Sequence, residues 1–251
     1  MTTPITLITG ASAGLGAEFA RQLVPKGHRL VLVARRKDRI DALAAELGNA
    51  RSLPLDLSEP GAAAKLMADV AAHGEHVATL INNAGFGLTG RFAAQEPQRL
   101  RQMIDLNCGV LTEICHAVVP GMIERKGGAI LNVASTAAFQ PGPGMAVYFA
   151  TKAFVLSLTE ALHEELRPFG IKVSALCPGP TATEFGEVAG FGKAIPKFAI
   201  AEAGPVVRAG LQGLQRNKAV VIPGLLNKLS GQGHRLLPRA ALRRIAGAIK
   251  F

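Results

Sequence analysis

The stretch TGASAGLG at residues 9–16 decides the fold. It stands between a short apolar run at residues 5–9 and an amphipathic pattern at residues 14–26. Glycines here let the backbone turn tightly and approach a phosphate closely. The N-terminus of the helix that follows adds unpaired N–H groups and the positive end of a dipole. The spacing is GxxxGxG rather than GxGxxG. It predicts a strand–turn–helix unit that binds a phosphate, the alternative being a tight turn without a ligand.

Strand and helix patterns alternate along the rest of the chain. Because strands buried on both faces read as continuous apolar runs, Leu30-Val31-Leu32-Val33-Ala34 is typical of a parallel sheet. We therefore expect an α/β fold, a Rossmann-like doubly wound parallel sheet of about seven strands with helices on both faces. The predicted strands are residues 5–9, 29–34, 50–55, 77–82, 128–134, 171–176 and 219–222, and the predicted helices include 14–26, 37–47, 60–72, 97–123 and 146–168.

The length of 251 residues and the composition suit one globular domain over residues 1–251. We find no internal repeat and no dividing linker. Three cysteines without CxxC spacing argue against a disulfide scaffold and predict no metal site. The N-terminus lacks the pattern of a signal peptide, and no apolar run approaches the length of a membrane span. The expected location is cytoplasmic.

A Tyr-x-x-x-Lys pair, Tyr148 and Lys152, opens the predicted helix 146–168. Residues i and i+4 share a helix face, so the ammonium should lie beside the phenol. A nearby positive charge favours the phenolate and is expected to lower the pKa of Tyr148. Such a group suits acid–base chemistry on an alcohol or a carbonyl. The alternative is a surface pair, but Tyr148 is the only tyrosine in the chain.

Ser135 follows the predicted strand 128–134, at the sheet edge where this fold places ligands. Its hydroxyl is a candidate to hydrogen-bond a substrate oxygen, and the alternative is a serine that caps a loop. A literal GxGxxG occurs at Gly85, Gly87 and Gly90. No helix is predicted to open at Gly90, so we interpret this stretch as a loop lining a cofactor rather than as a phosphate site.

Together these motifs resemble the short-chain dehydrogenase/reductase family, in the type of about 250 residues. The similarity rests on TGASAGLG at 9–16, Asp56-Leu57, Asn82-Asn83-Ala84-Gly85, Asn107, Ser135, Tyr148, Lys152 and the run PGPTAT at 178–183. They occur in family order and spacing from residue 5 to about residue 185. The resemblance implies an oxidoreductase with a Rossmann fold that interconverts an alcohol and a carbonyl.

The resemblance also implies residue roles. Tyr148 would be the acid–base group, Lys152 would assist it and hold the nicotinamide ribose, Ser135 would fix the carbonyl, and Asn107 would hold a water of a proton relay. Asp56 would meet the adenine and Thr183 the carboxamide end. The implied cofactor-binding residues are Gly10, Ser12, Ala13, Gly14, Leu15, Gly16, Arg35, Arg36, Asp56, Leu57, Asn83, Ala84, Gly85, Tyr148, Lys152, Pro178, Gly179, Thr181 and Thr183.

The residues that follow the second predicted strand indicate which cofactor is used. NAD-specific sites carry an acid there that binds the ribose 2′-hydroxyl. This chain has Arg35 and Arg36 instead, and guanidinium groups suit a 2′-phosphate. The prediction is NADP(H), with Arg35 as the main contact and Ser12 assisting. The alternative is a solvated charge run, since Lys37 and Arg39 continue it.

The formal charge of +10 is unevenly distributed, because residues 201–251 hold nine basic residues and one acidic residue. In this basic helical tail, residues 224–251, Pro238 is expected to open a helix with an apolar stripe of Leu242, Ile245, Ala246 and Ile249. Three interpretations remain open: packing on this fold or on another subunit, closure over an acyl or anionic substrate, and contact with an anionic membrane surface.

Residues 184–205 are interpreted as a mobile substrate lid that is apolar inside, with Phe185, Phe191 and Phe198 and possible hinges at Gly190 and Gly192. The alternative is a structural insert. The expected partners are an apolar carbonyl or alcohol substrate and further copies of the chain in a homodimer or homotetramer. Nucleic-acid binding is not expected because no motif supports it. The other candidate functions are a non-catalytic NADP(H) sensor and a lipid-ketone reductase docked on a membrane by the tail.

Overall fold

Seven parallel strands form a single sheet in the order β3-β2-β1-β4-β5-β6-β7. The structure is a computed structural model that describes residues 2–190, 200–233 and 238–248. The strands lie close to their predicted positions: β1 Thr3–Thr9, β2 Leu30–Ala34, β3 Ala50–Pro54, β4 Glu75–Asn82, β5 Gly128–Val133, β6 Ile171–Leu176 and β7 Val220–Val221. The order reverses direction between β1 and β4, and a doubly wound sheet opens a ligand crevice at that point.

Helices follow the strands and cover both faces of the sheet. They are α1 Gly14–Leu23, α2 Lys37–Leu47, α3 Ala62–Ala72, α4 Pro97–Ile104, α5 Leu111–Glu124, α6 Ala146–Leu166, α7 Phe185–Ala189, α8 Ala203–Gln215, α9 Leu225–Gly233 and α10 Arg239–Ala248. The helix predicted at 97–123 is not uniform, because residues Asp105–Val110 between α4 and α5 form a π-helix. Wider π turns occur frequently at functional sites.

Two apolar clusters form the core, one on each face of the sheet. Successive side chains of a strand point to opposite faces. Val31 and Val33 therefore join one cluster with α3, α5 and α6, whereas Leu30 and Leu32 join the other with α1, α2 and α8. This division explains why the sequence of β2 is apolar without alternation.

The continuous helical segment Pro97–Glu124 is long and apolar enough to cross a membrane, although the sequence alone indicated no such span. Its most apolar window is 44% buried inside the fold. Ile114 and Val118 of α5 lie in the core cluster that α3 and β4 share. Core helices of globular proteins pass the same length and composition test, and this packing accounts for the apolar sequence.

The lid and the tail are described in part. Residues 191–199, which include Phe191, Gly192 and Phe198, lie outside the described residues. The predicted helix after Pro238 is present as α10, with the N–H groups of Ala241 and Leu242 donating to the carbonyl of Pro238. Its predicted stripe is divided, since Ala246 is buried and Ile245 is exposed. Ile249 lies outside the described residues.

Candidate active site

The glycine turn joins β1 to α1 in a conformation that requires glycine. Gly10 and Gly14 have φ angles of 66° and 54°, in the left-handed region. A Cβ at Gly16 would lie 2.2 Å from the carbonyl oxygen of Gly10. Ala13 caps α1 with extended backbone and without a side-chain hydrogen bond. The first N–H groups of α1 are thus left for a ligand, as an anion site requires.

Asn83 fixes the glycine turn to the end of β4. Its Nδ2 donates to the carbonyls of Thr9 and Gly10, both at 3.1 Å. The N–H groups of Asn83 and Ala84 in turn donate to Oγ1 of Thr9 at 3.0 Å. The side chain of Asn83 therefore shapes the site, and the residue also lines the cavity described next.

A cavity of about 790 Å³ lies at the carboxyl ends of the strands. It brings together residues that are up to 190 positions apart in the sequence, from Gly10 to Ile200. The predicted residues that line it are Gly10, Ser12, Ala13, Gly14, Leu15, Arg35, Arg36, Asp56, Leu57, Asn83, Ala84, Gly85, Ser135, Tyr148, Lys152, Pro178, Gly179, Thr181 and Thr183. Two predicted residues, Gly16 and Asn107, do not line it.

Gly16 was predicted as a cofactor contact, and this stays a prediction, since the residue does not line the cavity but belongs to the first turn of α1. The residue lies behind the turn, where the missing side chain allows α1 to approach the carbonyl of Gly10. Gly16 therefore also contributes to the packing of the site.

Asn107 lies in the π-helix and is almost fully buried. Its Nδ2 donates to the carbonyl of Phe86 at 2.9 Å and to Oγ1 of Thr151 at 3.1 Å, and its Oδ1 accepts from the N–H of Phe86 at 3.1 Å. The side chain thus ties the loop after β4 to α6. The predicted water relay would have to use other atoms of Asn107.

Tyr148 and Lys152 lie in the first turns of α6, and both are buried. The Nζ of Lys152 is 5.9 Å from the centre of the Tyr148 ring and donates to the carbonyl of Val133 at 2.8 Å. Burial raises the pKa of Tyr148 to about 12 and lowers the pKa of Lys152 to about 8. The expectation of a lowered tyrosine pKa was wrong, because loss of solvation outweighs the hydrogen bond with Ser135 that acts to lower it. The phenol is neutral at pH 7 and able to donate a proton.

Ser135 stands at the end of β5, next to the phenol. Its Oγ accepts from the N–H of Ala137 at 3.1 Å, so the serine does cap the short helix Thr136–Phe139. A hydrogen bond between the side chains of Ser135 and Tyr148 acts to lower the tyrosine pKa, against the larger effect of burial. The two hydroxyl groups therefore share one point of the cavity, where a substrate oxygen could bind both.

The two arginines after β2 are placed differently. Arg36 donates from Nε and Nη2 to Oγ of Ser12, at 3.2 and 2.9 Å. Arg35 is the more exposed and lies 3.7 Å from a carboxylate oxygen of Asp56. Burial acts to raise the pKa of Asp56, but hydrogen bonds from Ser58 and the charge of Arg35 lower it below its ordinary value. The structure thus pairs Ser12 with Arg36, whereas the sequence analysis assigned the main contact to Arg35.

The other end of the cavity is apolar. Phe86, Ala137, Met145, Phe149 and Phe185 surround the Tyr148 ring, and the ring of Phe185 lies 5.4 Å from it. Sequence analysis named Phe185 only as part of the lid and missed Met145 and Phe149. It also missed Glu184, which pairs with Arg36 at 2.7 Å and with Arg39. No local pattern predicts these contacts, because they join distant segments.

Comparison with known proteins defines the class of this fold and site. The family model of the short chain dehydrogenases matches residues 4–194. The chain is 38% identical over 187 residues to an NADP-dependent 3-hydroxy acid dehydrogenase, YdfG, of Salmonella typhi, covering 73% of this chain and 75% of the relative. It is 36% identical over 181 residues to a serine 3-dehydrogenase of Rhizobium radiobacter, covering 71% and 72%.

Solved structures agree with this class. A short-chain dehydrogenase from Sphingobium yanoikuyae in complex with NADPH aligns with a TM-score of 0.83 at 39% identity, covering 93% of this chain and 94% of the other. A bulky-bulky ketone specific alcohol dehydrogenase from Comamonas testosteroni aligns with a TM-score of 0.79 at 34% identity, covering 94% of each chain. The chain belongs to the short-chain dehydrogenase/reductase family of oxidoreductases.

Proposed function

We propose that this protein is an NADP(H)-dependent oxidoreductase that interconverts a carbonyl and an alcohol. The observation that carries the proposal is the meeting of Ser135, Tyr148 and Lys152 at one end of a cavity whose other end is a glycine turn with arginines. The proposal is further supported by the NADP-dependent name of the Salmonella relative and by the NADPH in the Sphingobium structure.

The residues present fit a dinucleotide. A phosphate needs close backbone approach, and the turn offers glycines and the free N-terminus of α1. Asp56 and Leu57 line the cavity beside the turn, where the adenine is expected. Arg36, held on Ser12, suits a 2′-phosphate through its planar guanidinium. Arg35 is the second candidate for this contact.

The proposed chemistry divides between cofactor and protein. The nicotinamide, when bound, supplies or accepts the hydride. Tyr148 donates its phenolic proton to the carbonyl oxygen during reduction, and the raised pKa keeps that proton in place at neutral pH. Ser135 orients the same oxygen by a hydrogen bond. The ammonium of Lys152, fixed on the carbonyl of Val133, stabilises the negative charge that develops on Tyr148.

The proposed substrate is an apolar ketone or aldehyde. The aromatic and aliphatic side chains around Tyr148 favour such a molecule. A carboxylate substrate would be expected to bind a cation near Tyr148. Among the described residues that line the cavity, the cations are Lys152, Arg35 and Arg36, and the proposal gives each of them to Tyr148 or to the cofactor. The proposed substrate class differs from the 3-hydroxy acid and the serine in the names of two relatives, and it agrees with the ketone in the name of the Comamonas enzyme.

A carbonyl panel tests the proposal. The purified protein is mixed with NADPH or NADH and with apolar ketones, aldehydes or β-keto acids, or with NADP+ or NAD+ and hydroxy acids, and cofactor oxidation or reduction is followed. We expect NADPH-dependent reduction of apolar carbonyls. Turnover that is equal with NADH would contradict the cofactor assignment, and NADPH binding without any turnover would favour the non-catalytic sensor. Turnover of hydroxy acids alone would contradict the substrate class.

A further inference from the structure

An acidic residue, Glu184, forms an ion pair with Arg36, one of the two arginines that line the cavity. The carboxylate of Glu184 pairs with Nη1 of Arg36 at 2.7 Å through Oε2, and with Arg39 through Oε1. These partners precede it by 148 and 145 residues. Hydrogen bonds from both arginines lower the pKa of Glu184, so the carboxylate is ionised at neutral pH. Each partner is roughly half exposed, and the pair is therefore open to exchange with a ligand.

Arg36 is oriented by contacts on two sides. Its Nε and Nη2 donate to Ser12 in the glycine turn, and its remaining Nη1 donates to Glu184. Ser12, Arg36 and Glu184 all line the cavity. A planar guanidinium binds a carboxylate or a phosphate with the same fork of N–H groups. The fork of Nε and Nη2 lies on Ser12, so a phosphate that binds Arg36 bidentately would take the fork of Nη1 and Nη2 and compete with Glu184 for Nη1.

The neighbours of Glu184 reach the other parts of the cavity. A Cβ at Gly14 would lie 3.0 Å from the side chain of Thr183, which places Thr183 against the glycine turn. Phe185 packs on the ring of Tyr148, and its N–H donates to Oγ1 of Thr183 at 3.3 Å. Three consecutive residues therefore contact the turn, the arginines and the candidate acid–base group.

We propose that Glu184 is a specificity-determining residue that competes with the ribose 2′-phosphate of the cofactor for Arg36. This inference rests on the proposed NADP(H) site and deepens it. When the 2′-phosphate binds, Arg36 exchanges the carboxylate for the phosphate and keeps its contact with Ser12. Glu184 retains Arg39 as a partner, so the exchange leaves no carboxylate unpaired.

The competition has a measurable cost in affinity. A ligand without a 2′-phosphate leaves the pair of Glu184 and Arg36 intact, whereas a ligand with one must break it and bring two like charges together. Removing the carboxylate should therefore tighten only the second kind of ligand. Because the pair is about half exposed, the expected effect is modest, about fivefold.

Calorimetric titration of the cofactor-free protein tests this with two probes that differ by one phosphate, 2′,5′-ADP and 5′-AMP. Glu184→Gln is expected to lower the Kd for 2′,5′-ADP about fivefold and to leave the Kd for 5′-AMP unchanged. Glu187→Gln removes a carboxylate from α7, the helix that Glu184 precedes, and is the matched control. Glu187 also lines the cavity but forms no ion pair with any residue the structure describes. It should change neither Kd.

Three results would overturn the inference: an unchanged or weaker affinity of Glu184→Gln for 2′,5′-ADP, an equal gain for 5′-AMP, or the same gain in Glu187→Gln. A double variant locates the effect. In an Arg36→Ala background, Glu184→Gln should raise the affinity for 2′,5′-ADP less than it does in the wild type, because the shared arginine is gone and only the repulsion between carboxylate and phosphate remains. A full gain in that background would also refute competition at Arg36.

The same titrations separate this inference from the proposed function. If the wild-type protein binds 2′,5′-ADP no better than 5′-AMP, the NADP(H) assignment fails. If the wild-type protein prefers 2′,5′-ADP and Glu184→Gln leaves that preference unchanged, the assignment stands and only the role of Glu184 is refuted.

Discussion

Burial shifts the pKa values of Tyr148 and Lys152 in opposite directions. Burial disfavours the charged form of each, so it raises the pKa of the phenol to about 12 and lowers the pKa of the ammonium to about 8. At neutral pH the tyrosine holds its proton and the lysine is mostly charged. This is the state in which a proton can be donated to a carbonyl oxygen and the resulting negative charge stabilised.

Replacing Tyr148 by Phe tests the acid–base role. The ring and its packing on Phe185 are retained, while the proton donor is lost. We expect turnover to fall by at least about 100-fold and the Kd for NADPH to stay within about twofold of the wild-type value, since the glycine turn and the arginines are untouched. Steady-state rates and a fluorescence titration of NADPH measure the two effects. Substantial activity in this variant would refute the mechanism.

The pH dependence follows from Lys152. The group is protonated below its pKa of about 8 and loses its charge above it. The value of kcat/KM for NADPH reports groups of the free enzyme. It should be level below pH 8 and fall about tenfold per unit above it.

An exposed lysine on β6 provides the control for this profile. Lys172→Met should leave the pH profile unchanged. The fall should shift to higher pH in any Lys152→Arg variant that retains measurable activity, because guanidinium stays protonated. A wild-type profile that stays level to about pH 10, near the ordinary lysine pKa, would rule out Lys152 as the titrating group.

At the scale of elements, the glycine turn and α1 act as one unit. A Cβ at Gly16 would lie 2.2 Å from the carbonyl oxygen of Gly10, so Gly16→Ala must push α1 away from the turn. We expect the free energy of unfolding to fall by about 1–3 kcal/mol and nucleotide affinity to drop, although Gly16 does not line the cavity. Urea denaturation and NADPH titration measure these losses.

Gly247→Ala is the matched control for Gly16→Ala. This glycine also lies within a helix, α10, and an added Cβ would meet nothing within 4 Å. Because alanine is the better helix former, the control should be neutral or slightly stabilising. Equal losses of stability and nucleotide affinity in both variants would show that the close approach of α1 at Gly16 does not contribute to either.

Elements with strong sequence patterns are predictable, and contacts between distant elements are not. The strands could be located because burial on both faces demands continuous apolar residues such as Leu30 to Ala34. The partner of Ser12 could not be predicted, because Arg35 and Arg36 follow the same strand. The backbone at the end of that strand decides which of the two side chains turns inward. Glu184 meets Arg36 only through the folding of the whole chain. The sign of the pKa shift at Tyr148 depends on burial, which a Tyr-x-x-x-Lys spacing does not reveal.

At the scale of the whole molecule, α3, α4, the π-helix, α5 and α6 present a mostly apolar groove, which Glu113 and His116 also line. Ile104 and Phe154, on α4 and α6, border this groove and are 43% and 44% exposed. Exposed apolar surface of this kind marks interfaces. We therefore propose that this groove is the interface of the predicted homodimer or homotetramer, which would assemble through the two long helical segments.

A charge placed in this groove tests the assembly. Phe154→Glu should lower the mass of the predicted oligomer, a homodimer to a monomer or a homotetramer to a dimer, because a charged carboxylate would replace an apolar ring at the interface. Light scattering coupled to size-exclusion chromatography measures the mass. Phe92→Glu is the control, since Phe92 is exposed but does not line the groove, and it should keep the wild-type mass. A wild-type protein that runs as a monomer, or a Phe154→Glu variant of unchanged mass, would contradict this assembly.

The single tyrosine has a consequence for optical spectroscopy. The chain contains one tyrosine and no tryptophan, and that tyrosine is the candidate acid–base group. The near-ultraviolet absorbance of tyrosinate therefore reports ionisation at the active site alone, without labelling. In the folded, cofactor-free protein the band should stay absent through the range near pH 10 where free tyrosine ionises, because burial holds the pKa at about 12. In urea, where the protein is unfolded, the band should appear near pH 10, where free tyrosine ionises. The protein thus carries its own optical probe of proton transfer.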